Sequence, residues 1–175
     1  MEDKEILAKL ISAIHEFTQD DGELLNLDAN ERSISHKLAE HLQRHFSDLK
    51  VDCEYNRHGN DVKRLQYPHT YPKGPIKWDD LDAKTVFPDI VIHKRGTDEC
   101  NRLVIEIKKS NSAPDFRIDE EKLQAFTKDQ YNYQLGILLL ADVKEKKINV
   151  LHIYKQGEEV TSHYREFLRE FGYVR

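Results

Sequence analysis

The chain has 175 residues, 38% hydrophobic and 34% charged, and a formal net charge of −5 at pH 7, which suits one globular domain with a single core and excludes a disordered polymer. Its only two cysteines, Cys53 and Cys100, form no CxxC pair, which excludes a disulfide scaffold and a thiolate zinc site and points to a reducing, cytoplasmic setting. The longest apolar run, Leu135 to Ala141, is too short to span a bilayer, and no apolar signal region follows Glu2, Asp3, Lys4 and Glu5, so no membrane association is expected.

Ile6, Leu7, Leu10, Ile11 and Ile14 recur at helical spacing and predict a helix over residues 2–17. Residues 19–26 are mostly polar and carry the turn signal Asp20-Asp21-Gly22. Asp28, with Glu31 three residues on, reads as a capping box that opens a second helix. Ile34, Leu38 and Leu42 give that helix its buried stripe, and it ends near Phe46-Ser47. Residues 49–55 alternate as a strand, with Leu49, Val51 and Cys53 on one face.

Residues 56–85 read as a long irregular stretch holding Pro68, Pro72 and Pro75. From Arg57 to Lys77, Arg57, Lys63, Arg64, Lys73 and Lys77 stand against Asp61 alone, so the chain is locally basic although acidic overall. Tyr67, Tyr71 and nearby Trp78 add aromatic surface. Basic groups bind phosphates and aromatics stack on unpaired bases, so the stretch is a candidate nucleic-acid clamp; the plainer alternative is a solvated loop.

Two apolar strands follow, residues 86–93 and 102–108, joined by the polar turn Lys94 to Glu99. Side chains alternate faces along a strand, so Glu106 and Lys108 point together, away from Leu103, Ile105 and Ile107, and Asp89 points away from Ile90 and Ile92. If the two strands pair as a hairpin, Asp89, Glu106 and Lys108 converge on one edge of an apolar sheet. Two carboxylates and an ammonium so placed can hold a divalent cation and cut a phosphodiester. The plainer reading is a surface salt bridge. A helix over residues 118–131 comes next, with Leu123, Phe126 and Tyr131 inward. Residues 135–140 form an almost wholly apolar strand, expected at the sheet centre. A strand over 148–154 should place Ile148, Val150, His152 and Tyr154 on one face, and an amphipathic helix over 160–171 closes the chain. A helix between the third and fourth strands requires a crossover, so the fold class is α/β, a mixed central sheet flanked by helices. The chain divides as a helical extension (1–26), a core (27–154) and a C-terminal helix (155–175).

Pro88-Asp89 and Glu106-Ile107-Lys108, each in an apolar strand, with a crossover helix after them, resemble the PD-(D/E)xK nuclease superfamily. The resemblance implies a restriction-endonuclease-like αβββαβ core and a nuclease that hydrolyses phosphodiester bonds in DNA with Mg²⁺, for which Mn²⁺ substitutes. It implies that Asp89 and Glu106 bind the metal, joined by the backbone carbonyl of Ile107, and that Lys108 positions or activates the attacking water. Glu31 occupies the place of the family's accessory helix glutamate, although it is also accounted for as the acid of a capping box. Lys122 and Gln124 sit on the helix where some branches carry a supplementary lysine or glutamine, and Arg57, Lys63, Arg64 and Tyr67 fall in the candidate clamp. The first and last helices suggest surfaces for a homodimer. A different class of reading keeps the fold without turnover, as a nucleic-acid-binding or assembly module, and an RNA nuclease fits the same residues.

Overall fold

The computed structural model describes residues 1–55, 87–110, 116–128 and 131–173, together with the backbone of short strands at 57–58, 61–62, 64–65 and 84–85. Three helices come first: α1 (Asp3–Asp20), the single turn α2 (Glu23–Asn26) and α3 (Glu31–His45). β1 (Lys50–Cys53) follows, then two minimal antiparallel pairs, β2 (Arg57–His58) with β3 (Asp61–Val62) and β4 (Arg64–Leu65) with β5 (Lys84–Thr85). The chain continues through β6 (Ile90–His93), β7 (Leu103–Lys109), α4 (Arg117–Phe126), β8 (Leu135–Asp142), β9 (Lys147–Lys155), β10 (Glu158–Glu159) and α5 (Thr161–Glu170).

Six strands form one open sheet in the order β1-β6-β7-β8-β9-β10. β7 and β8 run parallel, as a strand–helix–strand crossover requires, and the other neighbours are antiparallel, so the sheet is mixed. Alternation sends Leu103, Ile105 and Ile107 to one face, where with Ile90, Ile92 and Ile137 they pack under the apolar sides of α1 and α3 and Leu168 of α5. Val91, Val104 and Leu138 reach the opposite face and pack with Leu123 and Phe126 of α4, Tyr131, Tyr133 and Tyr154. β8 is therefore covered on both sides, which is why its sequence is a continuous apolar run. Ile6, Leu7, Leu10, Ile11, Ile14 and Phe17 are all buried. The apolar face of α1 is thus spent inside the chain, and the dimer surface suggested for it is not that face. Among the described residues no helix is long and apolar enough to cross a membrane.

Several expected boundaries shift. The polar stretch after the first helix is largely helical, because α1 runs on to Asp20 and α2 follows. The stretch 56–85 is not wholly irregular, since it contains β2 to β5. The helix expected over 118–131 stops at Phe126: the Thr127 hydroxyl donates back to the carbonyls of Leu123 and Gln124, closing the last turn, and Tyr131 is buried beyond it. In β9, Leu138 stands opposite His152 but Leu139 stands opposite Val150, so Leu151 is an inserted bulge residue. The bulge reverses the side-chain parity. Ile148 and Val150 share the α1–α3 face with Ile153, whereas Tyr154 belongs to the α4 face, not to one common stripe.

The start of α3 also differs from expectation, with consequences for the site. Its N-cap is Asn30, whose side chain accepts from Ser33 N at 2.8 Å. Asp28 lies in a turn at φ 53° and its carboxylate pairs with Lys109. Glu31 is therefore the first helical residue rather than the reciprocal acid of a capping box, and its carboxylate is available for other partners. Asn30→Ala should lower stability by about 1 kcal/mol, the usual worth of such a cap. Denaturant unfolding measures this, and an unchanged midpoint would contradict the assignment.

Candidate active site

The antiparallel register pairs Ile90 with Ile105 and Val91 with Val104. One step further, just before β6 begins, the same register sets Asp89 opposite Glu106. Both side chains then fall on the α4 face of the sheet, at the end of β6 where Pro88 can give no N–H to a ladder. Asp89 Oδ2 accepts a hydrogen bond from Ile107 N at 2.7 Å. In an extended strand the C=O of a residue points to the same edge as its N–H, so the Ile107 carbonyl faces this corner too. Glu106 is only 1% exposed, and its Oε2 accepts from Lys122 Nζ at 3.2 Å. Its other oxygen, Oε1, is buried with no hydrogen-bond partner among the described residues. A buried carboxylate oxygen left unpaired is costly, which marks it as a place for a ligand.

α4 closes the corner. Asp119, 3% exposed, accepts from Lys122 Nζ on Oδ1 at 3.1 Å and holds Lys108 Nζ on Oδ2 at 3.1 Å. Lys108 Nζ also lies 3.9 Å from Glu31 Oε2. Glu31 Oε1 in turn accepts from Lys109 N at 3.1 Å, tying the start of α3 to the end of β7. Four elements therefore meet in one charged cluster, between the apolar layers of the sheet.

Burial drives the electrostatics. It raises the Asp89 carboxyl to about 6, against the opposing pull of the Ile107 hydrogen bond and of Lys122 and Lys108. Burial, then the neighbouring Asp89 charge, pushes Glu106 well above the usual carboxylate range, despite Lys122. For the two amines burial acts the other way, but carboxylates outweigh it: Asp119 foremost holds the Lys108 ammonium above its ordinary value, and Glu106 and Asp119 do so for Lys122. Two acids that resist ionising side by side, with one oxygen unpaired, suit a cation between them. Mg²⁺ takes oxygen ligands, commonly from one or two carboxylates plus water and substrate, and Asp89, Glu106 and the Ile107 carbonyl match that set. Among the described residues no three His, Cys, Asp or Glu side chains group as metal ligands, so the protein share of a metal shell here would be these two acids and a carbonyl.

The fold thus brings together Asp89, Glu106, Ile107, Lys108, Lys122 and Glu31. Two details come from the fold rather than from the sequence. The lysine that touches Glu106 is Lys122, while Lys108 is held by Asp119. Gln124 is not in this network: two residues along a helix turn it roughly 200° from Lys122. Lys63 and Tyr67 lie outside the described residues, as do the side chains of Arg57 and Arg64. Asp119 escaped the sequence reading; its signal was the i,i+3 spacing to Lys122 on one helix face. His93, on the Asp89 side of β6, pairs with Asp52 at 2.9 Å and plays no part in the cluster.

The structure defines the chain as an α/β protein, with a six-stranded mixed open sheet whose β6–β7 end carries a buried carboxylate–lysine cluster. Comparison with protein-family models, curated proteins and solved structures gives no match.

Because the folded-state value of Asp89 lies above its ordinary 3.8, near 6, the folded chain holds that proton more tightly than the unfolded chain does. The contribution of this group to stability is full below about pH 4 and is lost as pH rises through about 6. Asp89→Asn keeps an acceptor for Ile107 N and removes the charge. In metal-free buffer it should match wild type near pH 4 and exceed it by ~1–3 kcal/mol at pH 7.5. Urea unfolding at both pH values checks the sign; an Asn variant less stable at pH 7.5 would contradict it.

Proposed function

We propose that the chain is a metal-dependent nuclease with a restriction-endonuclease-like core, in which Asp89 and Glu106 hold Mg²⁺, or Mn²⁺ in its place. The observation that carries this reading is the unpartnered, buried Oε1 of Glu106 in the corner it shares with Asp89. The order α3, β1, β6, β7, α4, β8 supports it, since it runs helix, three strands, helix, strand, like the αβββαβ core of the PD-(D/E)xK superfamily. DNA as substrate rests on the basic and aromatic residues between Arg57 and Trp78.

A bound divalent cation would polarise the phosphate, help acidify a water and offset charge in an in-line displacement. The protein groups do the rest. Asp89 is oriented by Ile107 N, and Glu106 by Lys122. Lys108, 25% exposed at its side chain and braced by Asp119, would hold the attacking water at the mouth of the cluster. Glu31, beside Lys108 and bonded to Lys109 N, steadies that end of β7.

Asp89→Asn, Glu106→Gln and Lys108→Ala should each lower cleavage of plasmid DNA in Mg²⁺ or Mn²⁺ by at least ~100-fold, the usual cost of losing one preorganised charge-stabilising group. Cleavage that persists in all three variants would remove the mechanism. The pairing of Lys122 with Glu106 also suits a second reading, in which a lysine has taken the place of the cation and the chain binds nucleic acid without turnover. DNA binding with no Mn²⁺ uptake by the wild-type chain would select it.

A further inference from the structure

Asp119 stands out among the buried titratable groups because the proposed reaction gives it no direct task, yet it is the point where two amines from different elements meet. Its two oxygens are divided between them, Oδ1 to Lys122 and Oδ2 to Lys108, each at 3.1 Å. It is 3% exposed, so its charge is poorly screened by water. Lys122 donates to both Asp119 and Glu106, so these two acids compete for one ammonium. With every group ionised, Glu31, Asp89, Glu106 and Asp119 face Lys108 and Lys122. Four carboxylates against two ammonium groups leave an excess of two negative charges, the charge of one divalent cation. Without Asp119 that excess falls to one, Lys122 is left on Glu106, and Lys108 is left between Glu31 at 3.9 Å and the charge of Asp89.

We infer that Asp119 is a positioning residue: by holding Lys108 on Oδ2 and sharing Lys122 with Glu106 through Oδ1, it limits how far these lysines neutralise Asp89 and Glu106, and so leaves that pair open to a divalent cation. The inference rests on the metal-dependent reading above. It acts through the lysines and requires no contact between Asp119 and the ion.

The test is Mn²⁺ affinity of the full chain, measured by calorimetry or by the paramagnetic signal of free Mn²⁺, with thermal melts to verify folding. Asp119→Asn should weaken Mn²⁺ binding at least tenfold. Adding Lys122→Gln to that variant should restore affinity to within about threefold of wild type, because the amine released onto Glu106 is gone. A merely structural role for Asp119 gives no such rescue. Lys122→Gln alone should bind Mn²⁺ at least threefold more tightly than wild type, which keeps the test alive if Asp119→Asn does not fold. Asp119→Asn binding as tightly as wild type, a double variant no better than Asp119→Asn, or Lys122→Gln no tighter than wild type overturns the inference. Wild-type chain that takes up no Mn²⁺ at millimolar concentration overturns the metal-dependent reading, and this inference with it.

Discussion

At the end of β6 and β7 the fold sets a buried acid, Glu106, beside a half-buried one, Asp89. The sheet carries apolar side chains on both faces and helices over both, so a residue near the middle of β7 has no route to solvent except along the strand. Glu106 is that residue. Its burial raises the free energy of its charged form, Asp89 and then Asp119 raise it further, and Lys122 is the member of the cluster that answers that cost. Lys122 reaches across from α4, Asp119 holds Lys122 and Lys108 together, and Glu31 binds the backbone just past Lys108. Among the described residues of the cluster, Glu106 Oε1 is left without a partner. In a structure whose apolar layers are otherwise closely filled, an unsatisfied carboxylate oxygen is the clearest sign that the fold serves something other than its own stability.

Much of this arrangement could be read from the residues. The apolar runs around Ile90, Ile105 and Ile137 set the strands, and strand parity alone sends Asp89, Glu106 and Lys108 away from the isoleucines. The crossover helix fixed the parallel β7–β8 pair, and with it the mixed sheet. What escaped depends on distant contacts or on backbone detail. Asp28 and Asn30 are both good capping residues two positions apart, and the choice between them is made by the tie from Asp28 to Lys109, a residue 81 positions away. The bulge at Leu151 has no marker in an apolar run, yet it turns Tyr154 to the other face. Asp119 looks like a surface acid in a charged helix; only the docking of α4 over β7 makes it buried.

Stability and the proposed activity pull against each other at this corner. A hydrophobic pair in place of Asp89 and Glu106 would suit the layers better, since buried charges rarely repay their desolvation. The cluster lessens the penalty because each amine meets more than one carboxylate, and it leaves one oxygen of Glu106 unpaired among the described residues. Under the proposed reading such a site would bind a cation not by a dense cage of ligands but by two oxygens, a carbonyl and the charge that surrounds them, with water and substrate completing the shell.

The most direct measurement is an anomalous difference map from crystals of the chain grown with Mn²⁺. The expected result is a single peak about 2.1 Å from Glu106 Oε1 and from a carboxylate oxygen of Asp89, the distance for a small hard cation. A map with no peak at millimolar Mn²⁺, or with a peak bound elsewhere while Lys122 stays on Glu106, would contradict the claim that these two acids share an ion.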